Sequence, residues 1–289
     1  MRQDLSIPKS NFFFSGYFRI PKDKSKSLFI YQNDTPENEE ISAIIFPREG
    51  KTLGSQKTIA KTLKPSESLI LDTDEILAQF ESGITEGTVL LCVNGEQFDK
   101  RSLMSKDLAL HWNSVSGGAL FAIGPFGSVN AGPDRLKKNF FMFCPVVIRE
   151  GELDTFNIVI NPSSDESYAD AVELIPELSN LSGETLVGSS FTVEPFGCSS
   201  LSVMEHFGKE GIELLRRTGG NGGMTIRHPG HILVSYFGQC DGEGNIICGN
   251  HTQPPSGAAG VMTGMDMWKN SIKKTFPLLL TIRDKFRST

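Results

Sequence analysis

The sequence predicts an all-β fold built as two tandem β-sandwich domains, each with at most one short helix. The main observation is an ungapped internal repeat, in which Asn11–Asn33 recurs 128 residues later as Asn139–Asn161 with six of 23 positions identical. In addition, 29 glycines and many Ser, Thr, Asn and Pro clusters separate short apolar runs, a pattern typical of strands joined by turns. A period of about 130 residues has the size of a domain. We therefore predict an internal duplication.

Four further landmarks recur in the same order along the chain, and the offset changes only between them. The matched pairs are 41–46 with 171–176, 62–65 with 192–195, 87–95 with 230–238, and 111–119 with 251–259. This register predicts the domain organisation. The predicted segments are an N-terminal arm at 1–8, repeat 1 at 9–127, a Gly/Pro-rich linker at 128–136, repeat 2 at 137–266 and a C-terminal tail at 267–289.

The elements of repeat 1 follow from runs of β-branched and aromatic residues that end at Gly, Pro, Asn or Asp, which favour turns. The predicted strands are two pieces at 12–14 and 17–20 around Ser15-Gly16, followed by 27–32, 41–46, 57–63, 68–71, 89–93, 108–112 and 119–123. A short helix is predicted over 72–80, where an Asp or Thr cap precedes Ile76, Leu77 and Phe80 on one face. Repeat 2 is expected to follow the same plan with longer loops. The apolar run 278–282 of the tail is expected to pack on a domain or on another subunit.

Charge and cysteine content argue against several classes of protein. The net charge of -6 and the pI near 5.5 argue against a nucleic-acid-binding protein, which needs a concentrated Lys/Arg surface. Five cysteines, an odd number without regular spacing, argue against a disulfide framework. The first ten residues lack the apolar core of a signal peptide, and no stretch approaches the roughly 20 apolar residues of a spanning helix. We therefore expect a cytoplasmic protein without a membrane span.

Two histidines at matched positions mark a candidate binding site. His111 and His251 are each followed by a Ser-Gly motif, and four of nine positions agree. One interpretation is a polar site at the end of a strand, and the other, which the residues alone favour, is a structural histidine that satisfies buried backbone groups. Aromatic and amide groups beside the histidines suit a sugar or another polar small molecule. The predicted binding residues are His251, Thr252, Gln253, His231, His228, Tyr236, His111, Trp112 and Asn113.

A metal centre is a weaker interpretation of the same region. The residues with zinc-type side chains are His206, His228, His231, Cys240, Cys248 and His251. Their spacing matches no recognised ligand motif, so neither a metal nor a cofactor is predicted. Nucleophile and phosphate-loop motifs are missing from the sequence as well, since Gly-x-Ser-x-Gly does not occur and the Gly-rich 219–223 lacks a Gly-Lys-Ser/Thr ending. No catalytic residue is therefore predicted.

The order of several short motifs resembles the sensory rhodopsin transducer family. The motifs are FSGYFRIP at 14–21, IYQN at 30–33, a strand closed by Glu49-Gly50, Thr62-x-x-Pro65 before a Ser-rich strand, and a strand ending in His-Thr or His-Trp, with Asn250-His251-Thr252 the closest local match. The resemblance implies small β-sandwiches that serve in interaction or ligand binding and often assemble as oligomers. The tandem arrangement departs from the single-domain form of that family.

These observations predict a non-enzymatic binding or signalling protein that recognises a carbohydrate, another polar small molecule or a protein partner. A homo-oligomer is the assembly that the resemblance implies. The alternative is a metal- or carboxylate-dependent carbohydrate-active enzyme that uses the loop-rich face of repeat 2, because acid/base sites in β-sandwiches need no local sequence signature. If a ligand binds at the histidines, repeat 2 is expected to hold the working site.

Overall fold

The computed structural model describes residues 6–10, 12–19, 26–50, 57–72, 76, 84–94, 108–114, 117–123, 139–229 and 231–251. Within these residues the chain is mostly β-structure, which confirms the predicted all-β class. The strands are β1 Phe12–Arg19, β2 Lys26–Gln32, β3 Glu39–Pro47, β4 Lys57–Leu63, β5 Ser68–Asp72, β6 Glu86–Asn94, β7 Leu108–Ser114, β8 Gly117–Ile123, β9 Asn139–Val147, β10 Leu153–Ile160, β11 Val172–Asn180, β12 Thr185–Val187, β13 Phe191–Val193, β14 Cys198–Ser202, β15 Asn221–Pro229, β16 Val234–Asp241 and β17 Ile246–His251. A helix, α1, spans Val203–Arg216.

The described strands form four antiparallel sheets, two in the first half of the chain (6–123) and two in the second half (139–251). In the first half, sheet A has the order β1-β6-β3-β4 and sheet B the order β5-β2-β7-β8. In the second half, sheet C has the order β12-β11-β15-β9, with β13 also paired to β11, and sheet D has the order β14-β10-β16-β17. When β12 and β13 are counted as two parts of one strand, the two halves have the same strand order.

Strand register agrees between the halves as well. In sheet B, Ile30 of β2 lies opposite Ile70 of β5. In sheet D, the residues 128 and 130 positions later, Ile158 of β10 and Ser200 of β14, lie opposite each other. The repeat therefore places matched residues opposite each other in both sheet B and sheet D. Descent of the two halves from one duplicated domain stays a prediction.

A shared turn fixes this register on both sides. The carbonyl of Asn33 accepts a hydrogen bond from the N–H of Ser66, and that of Asn161 accepts one from Phe196, both at 2.8 Å. Each asparagine side chain also donates to the last carbonyl of the strand that leads into the proline turn, which is β4 for Asn33 and β13 for Asn161. Ser66 and Phe196 have φ of 65° and 62°, a left-handed conformation that few residues other than glycine adopt. The Pro65 and Pro195 turns are thus built in the same way.

Three of the predicted landmark matches are wrong. The match of 41–46 with 171–176 is displaced by three residues, since Glu177 and not Leu174 lies at the register position of Ile44. The run 87–95 was matched with 230–238, but β6 lies between β1 and β3, whereas β16 lies between β10 and β17, so the counterpart of β6 is β15. His111 lies in β7, inside sheet B, and His251 lies in β17, at the end of the order of sheet D. The residue at the register position of His111 is Gly238, because Leu28 and its equivalent Phe156 lie opposite them. Apolar runs of similar length cannot be told apart without their pairing partners.

Sheet A packs against sheet B on one face and against sheet D on the other, sheet D packs against sheet C, and edge strand β8 of sheet B lies beside edge strand β17 of sheet D. Between sheets A and B, the rings of Phe14 and Tyr31 meet edge to face with centroids 5.6 Å apart. Between sheets C and D, a separate apolar core includes Val159 and Leu174, and helix α1 contributes Phe207 to it. The core next to sheet A also takes in side chains of sheet D. The two halves therefore share buried apolar contacts.

Sheets A and D meet through their outer faces. The A face consists of Phe13, Ser15, Tyr17, Ile44, Phe46, Thr88, Leu90 and Cys92, and the D face of Phe156, Ile158, Ile160, Cys198 and Tyr236. None of these side chains is more than 6% exposed. The Tyr236 hydroxyl donates to the carbonyl of Ser15, and the hydroxyl of Thr88 donates to the carbonyl of Phe196 at 2.8 Å. We call this contact the A–D seam.

Several predicted segments fall wholly or largely outside the described residues. These are the linker 128–136, the tail 267–289 and most of the helix at 72–80, within which Ile76 is helical and buried. The predicted N-terminal arm extends to the second half, since the N–H of Ile7 donates to the Glu166 carboxylate at 3.3 Å. Within the part of the chain that is described, no helix has the length and hydropathy needed to cross a membrane.

Candidate functional site

The predicted site is described best where β15 passes into β16. This segment contains His228, His231 and Tyr236, and it lies at the A–D seam, because Ile232 and Val234 pack beside the apolar side chains of the A face. Loop residues 161–171 approach it from the other side through Asp170. The site predicted from the sequence therefore lies where the two halves of the chain meet.

His228 occupies a core position at the end of β15. Its side chain is 4% exposed, and its register position corresponds to Val93 of β6, since Phe140 and its equivalent Phe12 lie opposite these two residues. Burial, and to a smaller extent the nearby His231, lower the pKa of His228 to about 4. At neutral pH the ring is therefore uncharged and forms part of the packing.

His231 is paired with a carboxylate in the loop between β10 and β11. Its Nε2 lies 3.3 Å from Oδ2 of Asp170, and the two side chains are 13% and 29% exposed. The carbonyl of Asp170 accepts a hydrogen bond from Asn161, whose Oδ1 in turn accepts one from the hydroxyl of Tyr168. The Tyr168 ring lies near Phe196, which stacks on the A face. The histidine–carboxylate pair thus stabilises a loop at the seam and keeps a partial opening to solvent.

Tyr236 does not belong to an open ligand site. It was expected to be a polar neighbour of the histidines, but it is fully buried in the A–D seam. Burial raises the pKa of its hydroxyl, which donates a hydrogen bond to the carbonyl of Ser15. Its function is to join the halves, because a buried carbonyl needs a donor.

The other predicted binding residues are described only in part. The backbone of His111, Trp112 and Asn113 lies in β7, opposite residues 26–28 of β2. His251 ends β17, opposite Tyr236. Thr252 and Gln253 lie outside the described residues. Because His111 and His251 occupy non-equivalent strands, the repeat no longer supports a common role for them.

A buried carboxylate lies at the start of α1 but has a structural role. Asp154 accepts hydrogen bonds from the Ser202 hydroxyl and from the backbone N–H of Met204. Ser202 caps the helix, since its Oγ also accepts from the N–H of Glu205 at 3.1 Å. Burial raises the pKa of the Asp154 carboxyl, and the hydrogen bond from Ser202 lowers it by a smaller amount. The carboxylate is held by the helix N-terminus and is not aimed at an open cleft.

The zinc-type residues of the second half are dispersed. His206 lies on α1 with its Nε2 3.0 Å from the carbonyl of Ser189, while Cys248 lies on β17 beside Gln239. Among the described residues, no three side chains of His, Cys, Asp or Glu come together as a metal-binding group. All five cysteines are free thiols, and three of them are buried.

The outer face of sheet C carries exposed apolar side chains that the sequence analysis did not single out. This C face consists of Phe143, Ile175, Glu177, Val187, Thr225 and Arg227. Phe143, Ile175 and Val187 are 56%, 45% and 61% exposed. The signal in the sequence is β9, NFFMFCPVV, which is apolar at successive positions and not only at alternate ones. Such a run is typical of a strand covered on both faces.

No protein-family model and no curated protein matches the chain. Among solved structures, it has a weak similarity to Bacteroides uniformis beta-glucuronidase 2 covalently bound to cyclophellitol-6-carboxylate aziridine, at 8% identity and a TM-score of 0.19. The match covers 84% of this chain and 26% of that chain. A likeness at this TM-score carries no argument about fold or function. The resemblance to the sensory rhodopsin transducer family therefore stays a prediction.

Proposed function

We propose that this protein is a non-enzymatic binding protein that recognises another polypeptide through the C face. The observation that carries the proposal is the exposure of Phe143, Ile175 and Val187 on three strands of one sheet. Single exposed apolar side chains are common on protein surfaces, but contiguous ones mark interaction sites. Ile175 and Val187 lie on the adjacent strands β11 and β12, and Phe143 lies on β9 across Thr225 and Arg227 of β15, so apolar and polar side chains share this face.

Equivalent positions in the first half support this function. Ser15, the counterpart of Phe143 at an offset of 128, is 2% exposed. The A face is buried by another part of the chain, and the C face occupies the same place in its own sandwich. An ion pair between Arg227 and Glu177, 2.8 Å apart, crosses the C face and gives it the mixture of apolar and charged groups found in reversible interfaces.

Substitution of Phe143 by Asp tests the proposal. Tagged wild-type chain, Phe143→Asp and a control, Leu181→Asp, are used to capture proteins from the source cells, and direct binding of each captured protein is then measured with purified components. Leu181 is 71% exposed but lies in the turn after β11, off the C face. Partners that bind wild type and the control but not Phe143→Asp support the proposal. Equal binding to all three chains would refute it.

Recognition of a carbohydrate or another polar small molecule stays a prediction with less support. Of its residues, His228 and Tyr236 are buried, and the partly open pair His231–Asp170 is its best remaining location. The predicted duplication is supported by the equal strand order and register of the two halves. A cytoplasmic location also stays a prediction.

A further inference from the structure

We infer that the C face is also the docking site of the chain's own C-terminal tail, 267–289, which covers the face until a polypeptide partner displaces it. The inference rests on the proposed function, because it names what regulates the same face. It combines the exposure of one sheet face with the composition of the segment that follows the last described strand.

The first step is that the C face lacks a cover among the described residues. Sheet A is covered by sheet B on one face and by sheet D on the other, and sheet D is covered by sheets A and C. Sheet C packs on sheet D through its inner face, whereas Phe143, Ile175 and Val187 of its outer face are exposed. The strand β9 has the composition of a strand with apolar neighbours on both sides. The C face therefore suits an apolar segment.

The second step is the place where the chain leaves the described fold. The strand β17 ends at His251, which lies opposite Tyr236 near the start of β16. Because β16 starts shortly after β15 ends at Pro229, the chain leaves sheet D at the end of the sandwich where β15 ends. At that end of sheet C, Arg227 of β15 lies opposite the exposed Ile175. The tail therefore follows from the end of the sandwich that contains part of the C face.

The third step is that the tail is long enough to reach this face. Residues 252–277 separate β17 from the apolar run 278–282. These 26 residues span up to roughly 85 Å when extended, at about 3.3 Å per residue. Stacked sheets lie about 10 Å apart, so the outer face of sheet C is separated from sheet D by a single layer. Length therefore places no limit on docking within one chain.

The fourth step is charge. The tail 267–289 contains six Lys or Arg residues and one Asp, a formal charge of +5, whereas residues 1–266 contain 22 Lys or Arg and 33 Asp or Glu, a formal charge of -11. By register, Glu173 and Glu177 share the outer face of β11 with Ile175. Glu177 pairs with Arg227, and Glu173 is exposed. A basic segment is therefore the kind of polypeptide that complements this face.

The order of residues in the tail matches the mixed character of the C face. Lys273 and Lys274 precede the apolar run 278–282, and Arg283 follows it. The apolar run supplies side chains for the exposed apolar groups, and the flanking cations favour the carboxylates. Exposed ion pairs contribute little to affinity, so the apolar run should dominate the contact. Because the tail is tethered, its effective concentration is of millimolar order, and a weak contact suffices to cover the face.

Limited trypsin digestion of the full chain tests the inference, because Lys273 and Lys274 are cleavage sites within the tail. Cleavage of a docked segment tracks the population of its open form when opening is fast. Phe143→Asp and Leu279→Asp each alter one side of the contact and should raise the initial cleavage rate at these lysines by roughly tenfold, as expected for loss of an apolar anchor. The double variant should be cleaved at about the rate of the single variants, because both changes remove the same contact.

Leu181→Asp is the control on the surface of the second half, and it should be cleaved like wild type. The rate should not depend on protein concentration, because the contact lies within one chain. Equal rates in wild type and Phe143→Asp would overturn the inference. A rate raised by Leu120→Asp, on the outer face of sheet B, in place of Phe143→Asp would also overturn it, as would protection that is lost on dilution. If circular dichroism shows that Phe143→Asp is unfolded, Phe143→Ser takes its place with the same expected outcome.

The outcomes separate this inference from the proposed function. A partner that binds the C face, combined with equal cleavage of the tail in every variant, would sink the inference and leave the proposed function standing. Cleavage that rises only in Phe143→Asp and Leu279→Asp, with no protein captured, would support the docked tail and sink the proposed function. When a purified partner is available, adding it should raise the cleavage rate of wild type towards that of Phe143→Asp. A partner that binds without changing this rate would overturn the displacement of the tail.

Discussion

The stability of the fold should fall in mild acid because of His228. Its pKa is lowered from 6.5 to about 4, first by burial and then by His231. A histidine with a lowered pKa is held neutral in the folded state, so its contribution to stability is complete above pH 6.5 and is lost as the pH falls towards 4. Because one pKa unit corresponds to about 1.4 kcal/mol, protonation should remove about 3 kcal/mol of the free energy of unfolding over this range.

His228→Val isolates this effect. Valine already occupies the equivalent position, Val93, where it is fully buried, so the substitution should be tolerated. Urea unfolding of both chains at several pH values between 7.5 and 4 gives the free energy of unfolding of each. Wild type should lose up to about 3 kcal/mol more than the variant as the pH is lowered, because the other titrating groups are common to both. Parallel pH profiles for the two chains would refute the assignment of the acid sensitivity to His228.

Two further substitutions test the A–D seam. Tyr236→Phe removes the donor to the buried Ser15 carbonyl and should lower the free energy of unfolding by about 1–3 kcal/mol in urea titration; an unchanged midpoint would show that this bond contributes nothing. Gly50→Ala places a Cβ 2.1 Å from the Pro195 carbonyl oxygen at φ +60°, so Tm should fall further than in Gly183→Ala, where φ is also positive but nothing lies within 4 Å. Equal decreases of Tm in the two glycine variants would mean that the backbone at the seam can shift to accommodate the added Cβ.

The sequence predicted most of the first half of the fold, because its strands are short, rich in β-formers and separated by turn residues. The repeat register also held where a side chain fixes the backbone. Asn33 and Asn161 each bond to a turn whose third residue is left-handed, and their short side chains carry both an amide donor and a carbonyl acceptor. Landmarks of this kind can be matched from the sequence, because their chemistry is specific.

The register failed where landmarks consisted of apolar runs and glycines. The run after Gly87 forms β6, and a similar run after Gly230 forms β16, yet hydrogen-bond partners place them in different layers. The predicted equivalence of His111 and His251 failed for the same reason, since the two histidines were matched on flanking Ser-Gly residues and not on their strand partners. His231 was predicted, but Asp170, which pairs with it, was not, because the two are 61 residues apart in the chain.

The strand composition of sheet A explains the contact between the two halves and also bears on function. A strand in a free sandwich needs apolar side chains on one face only, but β6 carries TVLLCV and buries both Leu90 and Leu91, because sheet A is covered by sheet B on one side and by sheet D on the other. The strand β9 has the same composition and buries Met142 but exposes Phe143. Sequence and structure therefore disagree about how many faces of sheet C are covered. A partner on the C face, as the proposed function requires, removes this disagreement for the described residues.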